Sequence, residues 1–300
     1  MSNLPAMAKN QIQAVENKVQ QLQQSNQIEL PADYSVSNAL RSAFLTLQET
    51  KDSRGRPALE ACTQPSITNA LLDMIVQGLT PARKQAYFIA YGDQLICQPS
   101  YFGEMAIAKR VDPRIADIVS ETVHEGDEFE FELVHGRKRV VKHKQTLDSL
   151  DGKITGAYAT LIDHQGREIA TEIMTWKELL KSWSKSPVKP VQNGSLKENS
   201  THANHPGEMA KRTVIRKLCK PVIRSGSDTY IRSAYERPDQ IQAQGRAEAV
   251  ASSQANQGEI IDIDSGSAEP AAESAYDPET GEVEEEAPLD PEYAKTEPGF

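Results

Sequence analysis

The spacing of hydrophobic residues predicts helices over the first 80 residues. A narrow apolar stripe runs through a glutamine-rich segment at helical intervals: Ile12, Val15, Val19 and Leu22. Because this stripe is too thin for a core helix, we expect residues 1–32 to form a helical arm that contacts a neighbouring subunit. A half-ordered leader is the alternative. Two broader apolar patterns, at residues 40–47 and 67–75, predict helices that pack in a core.

The centre of the chain changes to strand patterns. Gly92 and Asp93 separate two short apolar runs, at residues 87–91 and 94–98, which is typical of a two-residue hairpin loop. Further on, glutamates alternate with apolar residues and predict a half-buried strand: Phe129, Phe131 and Leu133. Together with the helical segments, these patterns predict an α+β fold in which a small antiparallel sheet packs with helices.

Later segments add a helix and a loop to this picture. Trp176 and Trp183 frame a short helical pattern, and residues 185–204 are rich in Ser, Pro, Asn and Lys, which favours a flexible loop. A long basic helix begins near Glu208.

Charge is unevenly distributed along the chain. Residues 240–300 hold 15 acidic side chains and two basic ones, whereas residues 1–239 hold 28 acidic and 31 basic ones. A segment of that composition cannot bury a core, so we expect a disordered acidic tail over residues 240–300 and a folded core over residues 33–239. The tail would compete with other anions for a basic groove or recruit a partner.

Several classes of protein are disfavoured by the sequence. The three cysteines, Cys62, Cys97 and Cys219, are isolated, which is typical of a reducing cytosol and argues against disulfides or a cysteine-based zinc site. The N-terminus lacks the apolar run of a signal peptide, and no stretch approaches the ~18 apolar residues of a membrane span. No phosphate-loop, dinucleotide-binding or nucleophile-elbow motif is present, so we expect a cytoplasmic protein without ATP or another cofactor.

The basic helix is the most informative segment. Its apolar positions fall on one face, and basic residues occupy the rest, with no acid between residues 209 and 224. The candidate phosphate-binding residues of this helix are Lys211, Arg212, Arg216, Lys217, Lys220 and Arg224. Arg212, Arg216 and Lys220 form a row one turn apart; a solvated surface face is the alternative, and it would need acids from outside the helix to offset the charge. Pro221 is expected to kink or end the helix.

Two further groups join the candidate nucleic-acid site. A basic strand follows the turn at His135 and Gly136 and contributes Arg137, Lys138 and Arg139, followed by Lys142 and Lys144. A solvated edge strand is the alternative reading of this strand. The helix after the hairpin combines aromatic and basic side chains that could stack on bases and hold phosphates, or pack in the core: Tyr101, Phe102, Lys109 and Arg110.

The acidic strand face offers a different chemistry. Glu128, Glu130 and Glu132 could hold a divalent ion, which would favour a metal-dependent nuclease, although a solvated sheet face explains the same alternation. A third reading is an acidic-tailed scaffold whose basic helix contacts a protein.

Three stretches in order resemble the RecT family of phage-type single-strand DNA-annealing recombinases. They are the basic segment beginning Glu208-Met-Ala-Lys-Arg, the central block Leu79-Thr-Pro with its hairpin, and Tyr101-Phe-Gly followed by Met105-Ala-Ile-Ala-Lys-Arg. The resemblance covers about residues 38–226. Where that family often has a basic residue between Tyr and Gly, this chain has Phe102, so a phosphate contact at that position is in doubt.

The resemblance implies an ATP-independent protein that coats single-stranded DNA and anneals complementary strands in homologous recombination. It also implies self-association into rings or filaments, binding to the annealed duplex, a phage-type exonuclease as partner, and a place in the cytoplasm of a bacterial host cell. Magnesium would serve only as a DNA counterion. Because base pairing would supply sequence specificity, such a protein needs phosphate contacts and no base-specific donors.

Overall fold

In a computed structural model of the chain, residues 6–186 and 189–255 are described. The helices in chain order are α1 (Ala6–Gln24), α2 (Val36–Glu49), α3 (Ala58–Ala61), α4 (Gln64–Val76), α5 (Tyr101–Val111), α6 (Leu147–Leu150), α7 (Trp176–Trp183), α8 (Thr201–Asn204), α9 (Pro206–Ser225) and α10 (Thr229–Ala255). The strands are β1 (Ala86–Tyr91), β2 (Gln94–Pro99), β3 (Ile115–His124), β4 (Glu128–Val134), β5 (Arg137–Lys144), β6 (Ile154–Asp163), β7 (Glu168–Thr175), β8 (Val191–Gln192) and β9 (Ser195–Leu196).

The architecture is α+β, as the sequence predicts. A five-stranded sheet has the order β3-β6-β7-β5-β4, and the paired strands in it run antiparallel. The strands β1 and β2 form a separate hairpin, and β8 and β9 form a second small one. Helix α9 packs against β6, β3 and β7, so it lies across one face of the five-stranded sheet.

The β1–β2 hairpin and α5 form as their sequences predict. Tyr91 pairs with Gln94 across a two-residue loop, and Gly92 has a φ of 61°, which an L side chain rarely adopts. Ser100 then caps α5 by accepting a hydrogen bond from the backbone N–H of Gly103. Gly103 has no room for a side chain, because a Cβ there would lie 2.1 Å from the carbonyl oxygen of Gln85.

The expectation that the N-terminal stripe is too thin for a core helix is wrong. Val15, Val19 and Leu22 are buried in the hydrophobic core of this same chain, and Ile12 packs against that core. Helix α1 contacts α4 and α2. A subunit contact through these side chains would therefore require them to leave the core, and the arm over residues 1–32 is an integral helix from Ala6 to Gln24.

Strand β4 is present but is not half-buried along its length. Phe129 stacks on Tyr158 of β6, with ring centroids 5.6 Å apart, although β7 and β5 lie between the two strands in the sheet order. The sheet is therefore strongly curled at this end. Toward the hairpin tip Phe131 and Leu133 are 51% and 69% exposed, although Leu133 lies opposite Lys138, the residue at which β5 pairs with β7.

A buried carboxylate anchors the root of the β4–β5 hairpin. The side chain of Asp127 has no exposed surface, and it accepts hydrogen bonds from Ser149, Gln145 and the backbone N–H of His124. The ring of His143 lies 3.1 Å from the same carboxylate. Burial alone would raise the pKa of Asp127, but these hydrogen bonds together hold that pKa far below its usual range. The network fixes where the hairpin leaves the sheet.

Two expectations near the C-terminus need correction. Helix α10 continues to Ala255, so the expected boundary of the tail at residue 240 falls inside a helix; residues 256–300 of that tail lie outside the described residues. The segment expected to be a flexible loop, residues 185–204, contains the β8–β9 hairpin and α8. In the described ranges, no helix is both long and apolar enough to cross a membrane.

Candidate nucleic-acid interface

An open groove of about 730 Å³ lies between the tip of the β4–β5 hairpin and the C-terminal half of α9. One side is the hairpin turn with Arg137 and Lys138, and the opposite side is α9 with Leu218 and Val222. Residues 169–172 of β7 and Leu161 of β6 lie between them. The groove therefore combines apolar side chains with cations at its edge.

Glu172 joins the two basic segments at this groove. Its Oε1 atom lies 3.4 Å from the Lys138 Nζ on β5 and 3.0 Å from the Lys217 Nζ on α9. Lys138 also donates a hydrogen bond to the carbonyl oxygen of Ile173, which fixes its ammonium group. The basic residues of β5 and those of α9, about 80 residues apart in the sequence, thus meet at the carboxylate of Glu172.

The positive charges of Lys138 and Lys217 also act on Glu178, at the start of α7. A hydrogen bond from the backbone N–H of Thr175 lowers the pKa of Glu178, and the charges of Lys138 and Lys217 lower it further. Two arginines line the groove near these lysines. Arg137 is exposed and adds positive charge, whereas Arg114 forms an ion pair with Asp112 at 2.7 Å. Arg139 makes two long ion pairs, 3.9 Å to Glu132 and 4.0 Å to Glu168.

The predicted row on α9 does not form an open phosphate-binding face. Arg216 is partly buried, with 11% of its side chain exposed, and it donates two hydrogen bonds to Oε1 of Glu104 on α5. Tyr235 of α10 donates a third hydrogen bond to the same oxygen. Glu104 therefore joins α5 to α9 and to α10.

At the start of α9, Arg212 contacts a neighbouring helix and Lys211 pairs within α9 itself. The guanidinium of Arg212 lies 5.2 Å from the ring centroid of Tyr101, a cation–π contact, and Lys211 pairs with Glu208 at 2.6 Å. Burial raises the pKa of Tyr101, and the nearby charge of Arg212 partly offsets that rise.

At the other end of α9, Asp239 of α10 lies 3.4 Å from Lys220 and 2.8 Å from Arg224. The helix continues through Pro221, so Arg224 stays in line with Lys220. Acids on α5, β7 and α10 thus offset the charge of α9, which is the condition that the alternative reading of this helix required.

The basic residues of α5 have structural partners. Arg110 donates a hydrogen bond to the carbonyl oxygen of Val76 at 2.6 Å and also contacts the carbonyl oxygen of Glu29, so it joins α4 to the segment after α1. Both terminal nitrogens of the Arg110 guanidinium are thus engaged within the fold. Lys109 pairs with Asp117 at 3.1 Å. Phe102 is 44% exposed and its ring centroid lies 4.0 Å from that of Tyr101.

The acidic face of β4 is used in ion pairs with β5. Glu128 lies 2.5 Å from Lys142 and 4.0 Å from Lys144, and Glu132 contacts Arg139. Over residues 6–186 and 189–255, no group of three or more His, Cys, Asp or Glu side chains is placed to hold a metal ion. The geometry offers no support for a nuclease centre on this strand.

Comparison with known proteins identifies the class. The model of the RecT family matches residues 37–251, and the chain belongs to that family. Its members are single-strand annealing recombination proteins. Over 206 residues the chain is 31% identical to Protein RecT of Escherichia coli (strain K12), a match that covers 64% of this chain and 68% of that relative.

The structure brings together only part of the expected site. Lys138 and Lys217 meet, with Arg137 beside them, whereas Arg212, Arg216, Lys220 and Arg224 contact α5 or α10. Sequence reasoning missed Glu172. The only signal was one of two glutamates, Glu168 and Glu172, within the strand pattern of β7, which is insufficient to reveal partners on two other elements.

Proposed function

We propose that this protein binds single-stranded DNA in the groove between the β4–β5 hairpin and α9, and anneals complementary strands without ATP. The observation that carries the proposal is the meeting of Lys138 and Lys217 at Glu172. Lys138 and Glu172 line that groove, and Arg137 is exposed next to Lys138. Family membership supports the same activity. Neither the basic residues of β5 nor those of α9 would by themselves form a continuous phosphate-binding edge.

The proposed mechanism is electrostatic and geometric. Lys138, Lys217 and Arg137 would neutralise successive phosphates and release their counterions, which drives binding without reading sequence. The apolar groove side chains Leu218 and Val222 would contact sugars or base faces. The strand would be held extended with its pairing edges open to a second strand.

No covalent step is part of this proposal, so the protein would act as a binding protein rather than an enzyme. Magnesium would act only as a DNA counterion. We also propose that the chain self-associates on DNA into a ring or filament, that it keeps hold of the annealed duplex, and that a phage-type exonuclease supplies its single strands in the bacterial cytoplasm.

Annealing of two complementary oligonucleotides by the full chain is expected to proceed in EDTA without nucleotide, and neither ATP nor magnesium should be needed. The reason is that counterion release and base pairing supply the free energy. Stopped-flow fluorescence with labelled strands measures the rate, and the uncatalysed rate of the same strands is the control.

The same assay separates the alternatives. Shortened oligonucleotides in magnesium or manganese would favour a nuclease. Absence of binding to single-stranded DNA at low salt would contradict the proposal and favour a protein-binding scaffold.

A further inference from the structure

We propose that Glu172 is a built-in competitor of the DNA phosphate, which occupies Lys138 and Lys217 when the groove is empty and so limits how tightly the strand is held. The inference rests on the proposed function. It assigns Glu172 a role in regulating the affinity of the groove for DNA, because its carboxylate is negatively charged like the DNA phosphate.

The geometry is that of an anion subsite filled by a side chain. A single oxygen of Glu172 lies within 3.4 Å of both ammonium groups. A carboxylate and a phosphate both accept charge-assisted hydrogen bonds from lysine, so they compete for the same donors.

The degree of exposure allows this exchange. The side chains of Lys138, Lys217 and Glu172 are 33%, 47% and 24% exposed. Ion pairs at that depth are weak enough to open, because water still solvates the separated charges. A more deeply buried pair such as that of Arg216 and Glu104, with side chains 11% and 2% exposed, would not exchange in this way.

The consequence for annealing is a strand that is bound but can be released. If both lysines were free, each phosphate contact would add its full counterion release to the affinity. With Glu172 present, part of that gain is lost in breaking two ion pairs. A strand held less tightly can shift its register against a complementary strand.

The chain offers a matched control for this idea. Asp239 makes the same kind of contact, one carboxylate with two cations of α9, Lys220 and Arg224. Asp239 does not line the groove, whereas Glu172 does. Glu60 on α3 is an exposed acid without a side-chain ion pair in the described chain, so it controls for the loss of one negative charge.

The test measures binding of a fluorescent poly-thymidine strand to the full-length variants Glu172→Gln, Asp239→Asn and Glu60→Gln over a range of salt. We expect Glu172→Gln to bind about fivefold more tightly at low salt. The slope of log affinity against log salt should become steeper by about one counterion. The gain should fade as salt screens the groove. Asp239→Asn and Glu60→Gln should stay close to wild type. Thermal melts check that each variant is folded.

Three results would overturn the inference. Binding by Glu172→Gln that equals wild type would show that Glu172 does not compete, and weaker binding would show that it positions the lysines instead. An equal gain in DNA affinity in Asp239→Asn or Glu60→Gln would show that the gain in Glu172→Gln comes from net charge alone. Any of these three results leaves the proposed function standing, provided that wild type binds single strands and that neutralising both lysines abolishes binding. If wild type does not bind single strands at all, the inference and the proposed function both fail.

Discussion

Replacement of Arg216 by alanine is expected to lower the free energy of unfolding by about 3–5 kcal/mol, because the partner carboxylate is left buried and uncompensated. Glu104 has only 2% of its side chain exposed and loses both hydrogen bonds from the guanidinium. Only the hydroxyl of Tyr235 would still donate to it. Chemical denaturation followed by circular dichroism measures the loss.

The adjacent residue provides the control for this variant. Lys217→Ala removes a cation from the same helix, but its side chain is 47% exposed, so unfolding should change by less than about 1 kcal/mol. A stability of Arg216→Ala equal to that of Lys217→Ala would show that the buried pair does not hold α5, α9 and α10 together. Weak DNA binding by an Arg216 variant is thus no evidence for a phosphate contact unless the variant is shown to be folded.

Neutralising both lysines at the groove is expected to remove most of the single-strand affinity. The double variant Lys138→Gln with Lys217→Gln should bind roughly 30-fold more weakly at low salt, if each phosphate contact contributes about 1 kcal/mol. The salt slope should fall by about 1.4, since each single-strand phosphate contact contributes about 0.7. Fluorescence anisotropy with a poly-thymidine strand measures both quantities.

A second double variant separates the groove from total charge. Lys18→Gln with Arg41→Gln removes the same charge from exposed positions on α1 and α2, and should bind as wild type does. Equal weakening in both double variants would mean that binding depends on net charge alone. The groove would then not be the site.

Local patterns in the sequence predict local structure well in this chain. The Gly92-Asp93 loop specifies its own hairpin, and the serine before α5 caps that helix, because both signals act over two to four residues. The apolar face of α9 is buried as its spacing indicates, with Val214, Leu218 and Cys219 in the core.

Contacts between distant segments could not be predicted in the same way. The spacing of Arg216 places it on a polar face, but its partner Glu104 lies 112 residues earlier in the chain. The narrow stripe of α1 suggests a weak helix, yet α4 and α2 supply the surface that buries it. For β4, alternation predicts a strand correctly but cannot tell that its apolar side chains Phe131 and Leu133 are left exposed.

The most direct test of the groove is cross-linking of the full chain to a single strand that carries one 4-thiothymidine, followed by mass-spectrometric mapping of the peptides. We predict adducts in the peptides of the Arg137–Lys138 turn and of α9 around Leu218 and Val222, and their loss when unlabelled single strand competes. Adducts confined to α10 or to the start of α5, with none in the groove peptides, would contradict this prediction.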